Sequence, residues 1–370
     1  MCVTPDNYPD GSRELTEAVG RLLIVGFEGT DFPEVEELIT RVRPAGLIFF
    51  KRNYPEGDGP RKLRELIDSA QALAASLLGR RLFMAVDHEG GRVQRLPRPY
   101  TQLPPAGEAG GRHLDPEAVS APAEQGAREL AATGFNFNLA PVLDVASPVA
   151  SVVGDRSFSD DPDRVAAYGR ATLNAFHRAG ILGAGKHFPG LGSAAIDPHH
   201  ELPTITADSR RLKEVDLVPF RELIREDLLA VMTTHALYPA LDPERPATFS
   251  EDIVALLKEE LGFAGAVLTD DLEMGAVVKN YPLGEAAVGA ISAGHDLALI
   301  CRRADYIEEC RTALSRAVRA GGITETRLTD ALSRSDLLAR RLAGFWPDQA
   351  VRDQWFDRLT AAGTSEGKNK

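Results

Sequence analysis

The chain has 370 residues, 44% hydrophobic and 26% charged, with a formal net charge of -12. That length holds one large domain or two ordinary ones, and the composition is that of a soluble globule. The acidic balance excludes a nucleic-acid surface, which needs a basic face. Three scattered cysteines, Cys2, Cys301 and Cys310, exclude a disulfide framework and fit a reducing compartment. The opening MCVTPDNYPDGSRELTEAVG is polar, without the apolar core of a secretion signal, and no apolar run approaches membrane-spanning length. A cytoplasmic monomer with neither membrane nor nucleic-acid partner is expected.

Short apolar runs alternate with amphipathic ones along the chain. The first strand is expected at Leu22–Phe27, followed by a helix from Pro33, and the second at Gly46–Phe50. Pro60 opens a helix with Leu63, Leu66, Ile67, Ala70, Leu73 and Leu77 on one face, the 3.6-residue spacing. The third strand is Leu82–Asp87; a long connection then leads to a helix ending near Gly134, and Phe137–Asp144 is the fourth strand. Asp161 and Pro162 read as an N-cap and first-turn proline. The fifth strand is Leu182–Lys186, followed by a helix with Leu212, Val215, Val218 and Leu223. Leu229–His235 is the sixth strand, Ser250 caps the next helix, and Gly265–Asp270 and Asp296–Cys301 are the seventh and eighth. Helices near Asp305–Arg319 and Glu325–Gly344 close the pattern, and the polar stretch from Ala361 reads as disordered.

Eight near-continuous apolar strands, each followed by a helical pattern, specify an α/β protein with a parallel sheet buried on both faces. An open doubly wound sheet could hold eight, but even spacing and size favour a single-domain closed (β/α)8 TIM-type barrel. The expected division is an N-terminal tail over 1–12, the catalytic barrel over 13–345, and a C-terminal helix or tail over 346–370. Ionisable residues recur at the strand ends: Asp87, Asp144, Lys186 with His187, His235 and Asp270. In a closed barrel those ends converge on one face, where such enzymes carry their sites.

Strand-end acids with Lys186, Arg92, Arg95 and Arg156 nearby suit an uncharged ligand rich in hydroxyls, such as a sugar. Arg156 could instead pair at the surface with Asp155 or Asp160. Of Asp270 and Asp271, successive strand residues, at most one enters the barrel mouth. Lys186 and Arg156 could keep it ionised and nucleophilic, as a glycosidase requires. The proton donor is sought in the loop after the fifth strand, which contains Asp197, Pro198 and His199. The residue before a proline is extended, so side chains two apart share a side. Asp197 could then orient the His199 imidazole and raise its pKa; His200 is the alternative.

The stretches GRLLIVGFEGT, GLIFFKRN, AVDHEGGRVQRL, NFNLAPVLDV, SVVGDRSF, GKHFPGLG, DPHHELP, VMTTHALYPALD, VLTDDLEMGAV and AISAGHDLALIC run from about Gly20 to Cys301. In that order they resemble glycoside hydrolase family 3, most closely the NagZ-like bacterial β-N-acetylglucosaminidases of peptidoglycan recycling. The resemblance implies a retaining double displacement with Asp270 as nucleophile and Asp197–His199 as the acid/base pair. It assigns sugar binding to Asp87, Arg95, Arg156, Lys186 and His187. No metal and no organic cofactor are implied. The substrate implied is a carbohydrate containing GlcNAc, an anhydro-muropeptide among the candidates. Four positions depart from the family pattern: Leu191 and Ser193 replace a histidine and an aspartate, Pro198 a serine, and His88 stands where glutamine is common. A β-glucosidase, a glycoside phosphorylase, a metal-dependent barrel hydrolase and a non-enzymatic sugar-binding barrel are the competing readings.

Overall fold

A computed structural model describes residues 13–147 and 152–366. The expected tail over 1–12, with Cys2, lies outside the described residues, whereas Cys301 and Cys310 are buried free thiols. Strands β1 (Leu23–Val25), β2 (Gly46–Phe49) and β3 (Phe83–Val86) are followed by β4 (Phe137–Asn138). Strand β5 comes in two pieces, Leu182–Gly183 and Gly185–Phe188, ahead of β6 (Ala230–Thr233), β7 (Ala266–Asp271) and β8 (Leu297–Ile300). All their pairings are parallel, in the order β5–β4–β3–β2–β1–β8–β7–β6–β5, with one piece of β5 at each end. The sheet therefore returns to its starting strand, and the barrel is closed but for the step at Ala184.

Alternation along the strands separates the two faces. Ile24, Ile48, Phe83, Ala85, Phe137, Leu182, Ala184, Met232, Ala266, Leu268, Leu297 and Leu299 pack together as the filled lumen. Their neighbours Leu23, Val25, Leu47, Phe49, Met84, Val86, Ala298 and Ile300 face outward into the helical layer. Because both faces are buried, the strands carry no polar alternation, which is why they stand out in the sequence as solid apolar runs.

The helices form where their signals stand. Gly59–Leu78 carries its proline in the first turn and ends on Gly79, at φ 69. Asp161 and Ser250 cap their helices by accepting from the backbone N–H groups of Asp163 and Ile253. Two stretches differ from the sequence reading. The fourth run pairs as a strand only over Phe137–Asn138, because Pro141 offers no N–H to continue the ladder; contact resumes at a single bridge, Val142 to Lys186. The chain from Ala361, read as disordered, continues the helix Gln349–Glu366. That helix buries Phe356 and Leu359, and its Arg352 Nε donates to the Ala131 carbonyl at 2.9 Å. Among the described residues, no helix is long and apolar enough to cross a membrane.

Candidate active site

Three charged residues extend the lumen-facing rows beyond the apolar core. Asp87 lies two residues past Ala85, Lys186 two past Ala184, and Asp270 two past Leu268. All three emerge at the C-terminal mouth of the barrel. Each would be costly to bury alone, so its partners decide its state.

Lys186, almost wholly buried, places Nζ 2.8 Å from Asp87 Oδ1 and 2.7 Å from Glu89 Oε1. Arg95 Nη2 donates to Asp87 Oδ2 at 3.2 Å, with its guanidinium over the Phe50 ring. Arg156 grips Glu89 with two bonds of 2.8 Å, from Nε to Oε2 and from Nη2 to Oε1. Three cations thus hold two carboxylates in one connected network. Burial would raise both carboxyl pKa values. Lys186 with Arg95 holds Asp87 below the usual carboxylate range, and Lys186 with Arg156 brings Glu89 from 4.5 to about 2. Burial would lower the Lys186 pKa, but Asp87 and Glu89 raise it, so the ammonium stays charged.

His187 adjoins this network. Its Nδ1 lies 2.7 Å from the fully buried Asp144 Oδ2, and its Nε2 3.4 Å from Arg156 Nη2. A guanidinium has no lone pair to offer, so an imidazole bonded this way carries its proton on Nδ1. Asp144 Oδ1 also accepts from the Leu191 backbone N–H at 2.6 Å, and Tyr238 donates its hydroxyl to the Gly190 carbonyl at 2.8 Å. These bonds anchor the base of the loop that leaves β5.

The adjacent aspartates of β7 fall into different states. For Asp270, burial would raise the pKa, but the neighbouring His187, His235 and Lys186 outweigh it and hold the group below its ordinary 3.8. Asp271 takes the opposite face, accepting from the backbone N–H groups of Glu273 at 3.0 Å and Cys301 at 3.3 Å. Burial, then Glu273 and Asp270, push it up to about 7. Their different partners thus shift two neighbouring carboxyl groups in opposite directions. His235 fixes the turn behind them. Its Nε2 donates to the Asp271 carbonyl at 2.9 Å, and its Nδ1 lies 2.6 Å from Thr248 Oγ1.

On the rim, His199 Nδ1 sits 2.8 Å from Asp197 Oδ1, which also accepts the His199 backbone N–H at 2.9 Å. These bonds outweigh the effect of burial and lower the Asp197 pKa. The His199 imidazole is 63% exposed, whereas Pro198 between the pair is buried.

The sequence-derived residues therefore fall into two groups. Asp87, Arg95, Arg156, Lys186 and His187 join one network beside Asp270, while Asp197 and His199 form a separate pair on the loop above. Lys186, expected to compensate Asp270, does lower its pKa, although its own bonds go to Asp87 and Glu89, and Arg156, named with it, is bonded to Glu89. The alternative, a surface pairing of Arg156 with Asp155 or Asp160, does not form; Arg92 reaches Asp155, at 3.4 Å. Glu89, absent from the sequence reading of the site, links the two cations. Its only local signal is its place two residues beyond Asp87, in step with the lumen parity. Among the described residues no group of three or more histidine, cysteine, aspartate or glutamate side chains could hold a metal ion.

A closed barrel whose mouth carries ion-paired carboxylates, a strand-end aspartate and a rim imidazole is compatible with a carbohydrate-acting hydrolase. The chain matches the Glycosyl hydrolase family 3 N terminal domain over residues 14–336, and it belongs to that family. It is 40% identical to a β-hexosaminidase of Alkalilimnicola ehrlichii over 292 residues, spanning 77% of this chain and 82% of the relative. A β-hexosaminidase of Methylococcus capsulatus is 37% identical, over 81% of this chain and 87% of its own. Among solved structures, a family 3 β-N-acetylglucosaminidase from Paenibacillus sp. superposes with TM-score 0.84 at 36% identity, over 94% of this chain and 68% of that one.

Proposed function

We propose that this chain is a retaining exo-β-N-acetylhexosaminidase that removes terminal GlcNAc from β-linked substrates. Muropeptides of peptidoglycan recycling in the cytoplasm are the proposed physiological source. The hexosaminidase relatives support the sugar class, and one observation carries the chemistry: Asp270 continues the lumen-facing row to the barrel mouth, where His187, His235 and Lys186 outweigh burial and lower its pKa, whereas Asp271 turns to the opposite face. In this reading an Asp270 carboxylate oxygen attacks the anomeric carbon. The bond to the leaving oxygen breaks, and that oxygen takes a proton from His199 Nε2. Water then gives its proton to the same nitrogen and attacks the anomeric carbon, releasing Asp270. Asp197 holds Nδ1, which points Nε2 at its task. Asp87, Arg95, Arg156, Lys186 and His187 supply fixed donors and acceptors for sugar hydroxyls.

The test is turnover of paired aryl glycosides, the N-acetylglucosaminide against the glucoside, with and without chelator and phosphate. Faster cleavage of the N-acetylglucosaminide, unaffected by chelator and releasing free sugar, is expected. Preference for the glucoside, loss of activity with chelator, or a sugar phosphate product would overturn the reading. His199→Ala should cost about 10²- to 10⁴-fold in kcat/KM on substrates with poor leaving groups. Activated aryl glycosides, which depart without a proton, should lose far less in kcat/KM, although their kcat falls because the same imidazole serves the second step. Equal losses in kcat/KM on both would remove His199 from the acid role.

A further inference from the structure

An exposed imidazole on a loop is a poor acid unless something fixes the loop. The bonds at Gly190 and Leu191 hold only its base, several residues from His199. The distal part is tied elsewhere. The Gly275 backbone N–H donates to the His199 carbonyl at 3.1 Å, and that of Ala276 to the Pro198 carbonyl at 3.0 Å. Gly275 and Ala276 open the short helix Gly275–Val278, so these donors have no partner within the helix. The turn before them is fixed in its own right. The Asp271 carbonyl accepts from the Met274 N–H at 3.0 Å and from His235 Nε2 at 2.9 Å.

The fit at Gly275 is close. A β-carbon there would lie 2.7 Å from the His199 carbonyl oxygen and 2.5 Å from that of His200. Both are backbone atoms, and real β-carbons do not approach so near, so the loop itself would have to lift. The glycine's backbone conformation is not the obstacle, since it has no positive φ.

We infer that Gly275 is a positioning residue for the reaction: its bare Cα and its N–H dock the Asp197–His199 loop onto the turn that follows the Asp270 strand. Acid/base and nucleophile then share one frame, five residues of chain apart at Asp270 and Gly275. The inference rests on the reading of His199 as acid/base.

Gly275→Ala and, separately, Ala276→Pro test it. The first pushes the loop away and the second deletes one of the two donors, at a position in the first helical turn where proline is tolerated. Both are compared with His199→Ala on aryl glycosides with good and poor leaving groups. A displaced acid of about 1 Å costs about 100-fold. Losses of about 10- to 100-fold in kcat/KM on poor leaving groups, with kcat/KM on activated substrates largely spared, are expected for folded variants. Wild-type ratios, or equal losses on both substrates, would overturn the inference.

Should either variant not fold, amide hydrogen exchange on the wild-type chain decides. Gly275 and Ala276 amides protected like those of Ala266–Asp271 support docking, and exchange at the rate of an open loop sinks it. The His199→Ala control separates the two failures. If that variant shows no leaving-group dependence, the acid/base reading falls; if it does and the Gly275 variant does not, only the docking falls.

Discussion

Asp270→Ala is expected to lower turnover by about 10⁴-fold or more, the scale on which loss of a covalent nucleophile is felt. The variant should still melt cooperatively, because the residue closes no ladder and lies beyond the apolar layer of the lumen. Asp271 cannot substitute for it. That side chain takes the opposite face of β7, holds the backbone N–H groups of Glu273 and Cys301, and is pushed by burial to about 7. Asp271→Asn is therefore the informative contrast, and its loss should be much smaller than that of Asp270→Ala. Pre-steady-state kinetics with excess activated aryl glycoside make the measurement, since a burst of aglycone reports formation of the covalent adduct. Retention of the burst in Asp270→Ala, or equal losses in the two variants, would move the nucleophile elsewhere.

How much of this was legible beforehand follows from where each signal resides. The strands could be read because burial on both faces leaves a local mark, a nearly continuous apolar run. The strand-end charges could be read because those runs stop at them. Glu89 could not, although it holds two cations of the site. It sits among glycines in HEGG, and its partners, Arg156 from the turn Gly154–Arg156 and Lys186 from β5, are distant in sequence and meet it only once the barrel closes. The same long-range pairing sends Arg156 to Glu89, while Lys186 acts on Asp270 without bonding to it. A local reading can say that a buried carboxylate needs compensation, but not which carboxylate receives which cation. The last helix was obscured differently. Its polar, small-residue end from Ala361 reads as loose chain, while its anchors, Phe356, Leu359 and Arg352, make sense only against the helix Pro116–Thr133 and Trp346.

Lys186→Met should lose both activity and stability, and the loss of stability should depend on pH. Removing one partner of a buried ion pair costs about 3–5 kcal/mol, because the other charge stays behind unpaired. Here two carboxylates, Asp87 and Glu89, are left with less compensation. The sign follows from the native pKa values, which lie below the ordinary ones, with Glu89 at about 2 instead of 4.5. Groups of that kind stabilise the fold fully above the unfolded pKa, and their contribution fades as pH falls through the native value. Between roughly pH 4.5 and pH 2 the wild type should therefore lose melting temperature steadily. Without Lys186 the same carboxyl groups protonate at higher pH and relieve their own repulsion, so Lys186→Met should lose less on acidification. The gap in melting temperature between the two proteins should be widest near neutrality and close towards acid. A gap constant with pH would mean that the lysine contributes packing rather than charge.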